Sequence, residues 1–408
     1  MTKLTNVQKE FLKIVNSFLH GNTYALPENF KEMPELYKLA SDHHLAAAVY
    51  EQIRTDCVWQ NPEWRLLGIN WKRSTVKQVM LQTQRTEGFL TLYKKLLEAD
   101  IQPLIVKGLV CRNMYQKPDY RTSGDEDIVI KRELVQIADQ IFQAEGFSAK
   151  DEGEDKFKEQ TISYINSQNG VFIEVQPDLF NEEFATLNML NKGFDDMFET
   201  CIAEKIQGID IYTLEPTKHF LYLIYHAFKH FLAGGFGIRQ VCDIFMMADR
   251  YDECIDWELV KTRLEEYSLD GFYKGLEQIA INHLGFKTRK MDSETIDYVS
   301  LLLDLLDAGS FGYTSAERKD STSVTFMAVE KSKKSGKEEG DNFLFPNMEY
   351  MKKSVPWLEK YPWLLPVGYI VRIVRYLRRS TSKNDNEKNS IQIGTERVEL
   401  MKKYGIIK

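Results

Sequence analysis

Between residues 101 and 176 the chain drops the helical spacing of apolar residues that governs it on both sides. Upstream, Leu4–Leu19, Glu35–Leu39 leading into Ala46–Ile53, and Val76–Leu97 carry apolar positions three and four apart. Downstream, Thr217–Leu232, Ile238–Arg250, Trp257–Tyr267 and Glu294–Leu306 do the same. In between lie short apolar runs bounded by turn residues. Pro103–Val106 is predicted as a buried strand ended by Lys107-Gly108, and Leu109–Tyr115 as a short helix. Ile128–Ile130 forms a second strand, Glu133–Ala144 a helix, and Thr161–Ile165 and Val171–Val175 two strands joined by a Ser167–Gly170 turn. The expected class is α+β: a small mixed sheet flanked by N-terminal helices and a large C-terminal helical region. The expected division is 1–100 helical, 101–215 α/β core, 216–330 helical and 331–408 a C-terminal extension, with polar, loop-like stretches at 331–341 and 380–390.

Length and charge narrow the function. A chain of 408 residues exceeds one typical core, and 43% hydrophobic with 28% charged residues is ordinary globular composition. A net charge of −7 argues against bulk nucleic-acid binding, which needs a large basic surface. The five cysteines are scattered without a C-x-x-C, so buried free thiols are expected rather than a disulfide framework or zinc site. No leader-like segment and no run of about 18 apolar residues occurs, so a cytoplasmic location is expected.

The chemistry concentrates in Arg121-Thr-Ser-Gly-Asp-Glu-Asp127, which runs into Ile128–Ile130. Residues i and i+2 of a strand share a face, so Asp125 and Asp127 point the same way at the end of a buried element. Two adjacent carboxylates repel unless a cation lies between them, and Mg²⁺ prefers such oxygen ligands. Glu174 interrupts the apolar strand Val171–Val175. It sits either on a solvated face or in a salt bridge, or else supplies a third oxygen and a base beside the aspartates. Lys107-Gly108 is either a plain strand-to-helix turn or a junction whose backbone N–H groups hold a phosphate.

Along Thr217–Leu232, His219, Tyr222, His226 and His230 fall near one helix face. His226 and His230 have zinc-ligand spacing but lack the acid of an H-E-x-x-H site. That face, with Lys229 and then Arg239, either lines a nucleotide or acceptor cleft or serves helix packing. Arg239 and Asp243, four apart, suit a salt bridge. The pair His43-His44 is expected at a helix-packing corner without a ligand role. Residues 369–379 carry Arg372, Arg375 and Arg379 on one side and either dock on the protein or make weak membrane-surface contact.

The order Lys107-Gly108, Tyr115, Pro118, Arg121, Gly124-Asp125-x-Asp127 and Glu174 resembles an uncharacterised bacterial family of nucleotidyltransferase fold, a branch of the polymerase-β-like nucleotidyltransferases. The later Tyr225–His230, Gly235-x-Gly237-Ile-Arg-Gln240 and Asp243 are similar to its helical half, and the likeness spans roughly residues 30–375. The resemblance implies that Asp125 and Asp127 bind Mg²⁺ or Mn²⁺, that the metal holds a nucleoside triphosphate, and that Glu174 is a third acid assisting the acceptor. Lys107, Gly108, Arg121, Ser123 and Gly124 would lie near the nucleotide, with His226, Lys229, His230 and Arg239 contributed from the helical half. Glu126, between the aspartates, is expected to face away. The implied reaction transfers a nucleoside monophosphate to an unknown acceptor (a small molecule, a protein or an RNA end) and releases pyrophosphate. The alternative is a non-catalytic nucleotide-binding or partner-binding module on the same fold; a third possibility is a purely structural helical scaffold.

Overall fold

A computed structural model describes residues 3–150, 156–157, 159, 161–180, 185–287, 296–310, 312, 318, 321, 325, 328, 358, 361–365, 367–368 and 390–407. The basic segment 369–379, the loop-like stretch 331–341 and most of 380–390 lie outside the described residues.

Four helices open the chain: α1 (Asn6–Leu19), α2 (Met33–Asp42), α3 (Ala46–Ile53) and the 34-residue α4 (Arg65–Glu98). Thr5 caps α1 by accepting from the Gln8 N–H while Gln8 answers on the Thr5 N–H. The α/β region follows as β1 (Leu104–Ile105), α5 (Gly108–Asn113), β2 (Glu126–Val129), α6 (Val135–Ala144), β3 (Ser148–Ala149), β4 (Ile162–Ile165) and β5 (Phe172–Gln176). After a short turn of helix, α7 (Ala185–Asn188), a hairpin forms from β6 (Ile202–Ile206) and β7 (Ile209–Thr213). The remaining helices are α8 (Pro216–Leu232), α9 (Ile238–Arg250), α10 (Trp257–Glu266), α11 (Asp270–Leu284), α12 (Val299–Ala308) and α13 (Ser390–Lys403). The class is α+β. Among the described residues no helix is long and apolar enough to cross a membrane.

The main sheet has the order β1-β2-β5-β4-β3, with β2 and β5 parallel and the other pairs antiparallel. It divides two apolar clusters. Ile105, Ile128, Ile130, Ile173 and Val175 pack with α6 and the second half of α4. Leu104, Val106 and Val129 join a larger cluster built from helices at both ends of the chain, α1–α3 and α8–α12. Helix α8 lies in the middle of that cluster and is buried almost all round, so its apolar surface is far wider than the single stripe of a surface helix. Pro216 at its first turn and the Glu215 carboxylate, which accepts from the Thr217 and Lys218 N–H groups, fix where it starts.

Several elements escape the sequence reading, helices α7, α11 and α13 among them. The strand β3 is only two residues long, and the hairpin β6–β7 turns tightly on Gln207-Gly208. Helix α4 begins at Arg65, eleven residues before the expected start, and its inward face carries polar Thr75, Gln82 and Thr86. The five cysteines are free, but only Cys111 and Cys242 are buried; Cys57 and Cys254 are exposed.

Candidate functional site

Parallel pairing sets the site. In the β2–β5 ladder Asp127 is the direct partner of Glu174, so both carboxylates leave the sheet on one face. Asp125 precedes β2 by one residue and, being two from Asp127, returns to the same side. One carboxylate oxygen from each of Asp125, Asp127 and Glu174 lies within 4.8 Å of the others. Glu126 points to the opposite face, where it pairs with the Arg112 guanidinium at 2.6 Å and accepts from the Leu109 N–H at 2.7 Å.

This arrangement suits a small divalent ion. Adjacent oxygens bound to one Mg²⁺ at about 2.1 Å stand roughly 3 Å apart, so closure by up to about 2 Å brings the three together. Asp127 Oδ2 is buried and accepts no hydrogen bond among the described residues; Lys107 Nζ lies 3.0 Å away, as an ion pair out of hydrogen-bond alignment. One ammonium does not balance three converging carboxylates, so the site can take further positive charge. The donor set is all oxygen, which matches Mg²⁺ or Mn²⁺ rather than zinc.

Helix α8 supplies the facing wall. The His219 ring is held by the Val106 carbonyl at 2.8 Å and lies 3.3 Å from the Thr213 hydroxyl, which pins the helix to the end of β1. Successive turns then place Tyr222, His226 and Lys229 with His230 over the carboxylates. Lys107 Nζ reaches His226 Nε2 at 3.3 Å, and the His226 and His230 rings are 4.5 Å apart. The Tyr222 hydroxyl is buried and makes no hydrogen bond among the described residues.

The electrostatics follow from this crowding. Burial, then the Asp127 and Asp125 charges, push the Glu174 carboxyl up to about 7. Burial would lower Lys107, but Asp127 and Asp125 outweigh it and raise its value. Burial drives His226 well below its ordinary value and His230 to about 3, with neighbouring Lys107 adding to both shifts. Lys229 is lowered by burial, and Arg239 falls to about 10 through burial and the nearby Arg121. At neutral pH the site thus holds neutral imidazoles and the cations of Lys107 and Arg239, with Lys229 beside them, around three acids.

Other expected residues sit differently. Arg121 is fully buried and turns its guanidinium onto Asp243, with Nε at 3.0 Å from Oδ1, while the Tyr115 hydroxyl donates to the same oxygen at 2.7 Å. Although burial alone would raise it, the Arg121 charge holds the Asp243 carboxyl below its usual range. The expected Arg239–Asp243 pairing is therefore corrected: Arg121 is the bonded partner of Asp243, and Arg239 donates to the Thr122 carbonyl. Ser123 accepts on its hydroxyl from the Arg112 guanidinium and donates its N–H to Gln82 Oε1 at 2.9 Å. Gly108 adopts φ +46°, and a Cβ there would lie 1.9 Å from Glu126 Oε2, so the start of α5 is already filled by a carboxylate of the chain itself. Gly124 borders open space beside Asp125.

Two residues near the acids were not assigned there from sequence. His43 does serve packing: its ring accepts from the Ile238 N–H and meets the Leu306 carbonyl. His44 adopts φ +55°, an unusual left-handed backbone, and its ring is lowered to about 4 by burial and then Arg239, with Asp125 opposing. Tyr222 was placed on the correct helix face but given no role. Its hydroxyl is raised far above its ordinary value by burial and then by Asp127, Cys111, Asp125 and Glu174. Only tertiary contact reveals either position.

No curated protein and no solved structure matches the chain. A family model described as "Uncharacterised nucleotidyltransferase" matches residues 31–279, which include every residue of the site above. With more than half its length so matched, the chain belongs to this nucleotidyltransferase family.

Proposed function

We propose that the protein transfers a nucleoside monophosphate from a nucleoside triphosphate to an acceptor hydroxyl, with Mg²⁺ or Mn²⁺ held by Asp125, Asp127 and Glu174. The observation that carries this reading is the convergence of the three carboxylates, one buried oxygen among them lacking a hydrogen bond, opposite a wall of cations. The bound ion supplies charge neutralisation for the phosphates. We assign the acids to an α/β core over 101–215 and the facing wall to a helical domain over 216–330. The likeness to polymerase-β-like enzymes supports attack at the α-phosphorus.

In that reaction the acceptor oxygen forms a bond to the α-phosphorus and the bond to the α–β bridging oxygen breaks. Pyrophosphate leaves with the electron pair. Glu174, the third acid of the site, accepts the acceptor proton. Lys107, Lys229 and Arg239 bind phosphate oxygens by charge. His226 and His230, kept neutral by burial, donate or accept hydrogen bonds without adding charge. Gly124 leaves the approach to Asp125 open. Arg121 and Ser123, already bonded to Asp243 and Arg112, hold the loop that aims the aspartates.

The test is incubation with each α-labelled nucleoside triphosphate, Mg²⁺ or Mn²⁺, and cell extract. Transfer of label with pyrophosphate release, lost in Asp125→Ala, supports the reading; label transfer by Asp125→Ala at full rate overturns it. A second reading, a nucleotide-binding module without turnover, is favoured by one observation: Glu126 occupies the start of α5, where a phosphate would otherwise meet backbone N–H groups. That module would be stabilised by Mg²⁺ with nucleotide yet release no pyrophosphate.

A further inference from the structure

Helix α4 turns a surface outward that neither the fold nor the nucleotide site uses. Leu66, Ile69, Val76 and Met80 are 69%, 44%, 50% and 66% exposed. With Arg73 they occupy alternating three- and four-residue steps, 66, 69, 73, 76 and 80, the a and d positions of a heptad. On a helical wheel they form a narrow stripe directly opposite buried Trp71. The stripe spans about 21 Å at 1.5 Å per residue.

The charge around it has one sign. From residue 64 to residue 86 there is no aspartate or glutamate, in a chain whose net charge is −7. Arg65 and Lys72 border the stripe on one side, Lys77 borders the other, and Arg73 lies within it. All four are exposed, and none forms an ion pair among the described residues. Glu63 precedes the stripe at one end, and Asp119 bonds Thr83 beyond the other.

From this we infer that the outer face of α4 docks an acidic amphipathic helix of a partner protein. Four exposed apolar side chains at heptad spacing offer knobs for a second helix, and flanking residues of such a pair select its charge. Lys72 and Lys77 occupy those flanking positions, so the fitting partner carries Asp or Glu there. A second copy in parallel would set Lys72 against Lys77, and in any orientation would oppose four cations to four. A lipid surface favours a broad apolar face with aromatic residues, whereas this stripe is one side chain wide between cations.

The probe is a labelled peptide of about three heptads with Leu at a and d and Glu at e and g, titrated onto the full chain. Its control carries Lys at e and g. The acidic peptide should bind about tenfold more tightly than the basic one, the sum of a few exposed ion pairs. Ile69→Ser with Met80→Ser should weaken it by about tenfold or more, and Lys72→Glu with Lys77→Glu should reverse the preference. These side chains are exposed, so circular dichroism should be unchanged and nucleotide transfer unaffected. Equal binding of both peptides, or binding indifferent to the substitutions, overturns the inference. So does a dimer in sedimentation that Met80→Ser abolishes, which gives the face to a second copy. Stripe-dependent cosedimentation with phosphatidylserine vesicles, without peptide binding, gives it to lipid and overturns it equally.

Discussion

Asp127 and Glu174 are direct partners across a parallel ladder, 47 positions apart in sequence yet projecting from the same face of neighbouring strands. Because the β2–β5 pairing also sets Ile128 opposite Val175 in the buried core, the register that packs the sheet is the register that brings the acids together. A one-residue slip would turn the acids into the apolar cluster that Ile128 fills. Folding and site assembly are thus one event here.

The first consequence concerns pH. Glu174 has a folded value near 7 against an ordinary 4.5, so between those values the folded chain binds more protons than the unfolded one. Stability of the metal-free protein should therefore fall as pH rises through that window. Thermal unfolding in chelator from pH 5 to 8 measures it. Glu174→Gln should flatten this part of the profile and raise the melting temperature at pH 8; an unchanged slope would refute the assignment.

Arg121 and Asp243 form a buried pair whose partners cannot be removed singly without cost. Arg121→Met or Asp243→Asn should destabilise by about 3–5 kcal/mol, because each leaves an unpaired buried group. Arg121→Lys should not restore stability, since a lysine cannot reproduce the two-pronged contact. Denaturant titration of the three variants decides this, and a loss under about 1 kcal/mol in both single removals would contradict it.

At Gly108, φ +46° and the Glu126 carboxylate together exclude a side chain. Gly108→Ala should cost more than about 1 kcal/mol, with the melting temperature as the readout.

Tyr222→Phe separates packing from site chemistry. Its hydroxyl has no hydrogen-bond partner among the described residues, so removing it should change metal-free stability by less than about 1 kcal/mol. If the hydroxyl meets the loaded site, affinity for Mn²⁺ or nucleotide should fall severalfold, read by calorimetry. Unchanged affinity would make the residue a packing element alone.

Much of this architecture was legible because period and punctuation agreed. Ile238–Arg250 was bounded correctly at both ends, between Gly237 and the turn after Arg250. The Asp-x-Asp strand and the helix bearing His226 and Lys229 were likewise placed by local pattern. Long-range pairing was not legible. Arg121 finds Asp243 across 122 positions, and a helical i, i+4 rule pointed to Arg239 instead. The middle of α4 hides its period because it is inverted: polar Gln82 and Thr86 are buried to hold Ser123 and Arg112, while Val76 and Met80 face solvent. His44 enters the site only through a left-handed corner between α2 and α3, which no apolar pattern announces.

The central claim is that three carboxylates form one divalent-metal centre. Electron paramagnetic resonance of Mn²⁺ titrated onto the full chain tests it most directly, with Asp125→Asn, Asp127→Asn and Glu174→Gln alongside. The account predicts saturable binding that each substitution weakens by about tenfold or more while circular dichroism stays constant. Wild-type binding of Mn²⁺ in all three folded variants would contradict it.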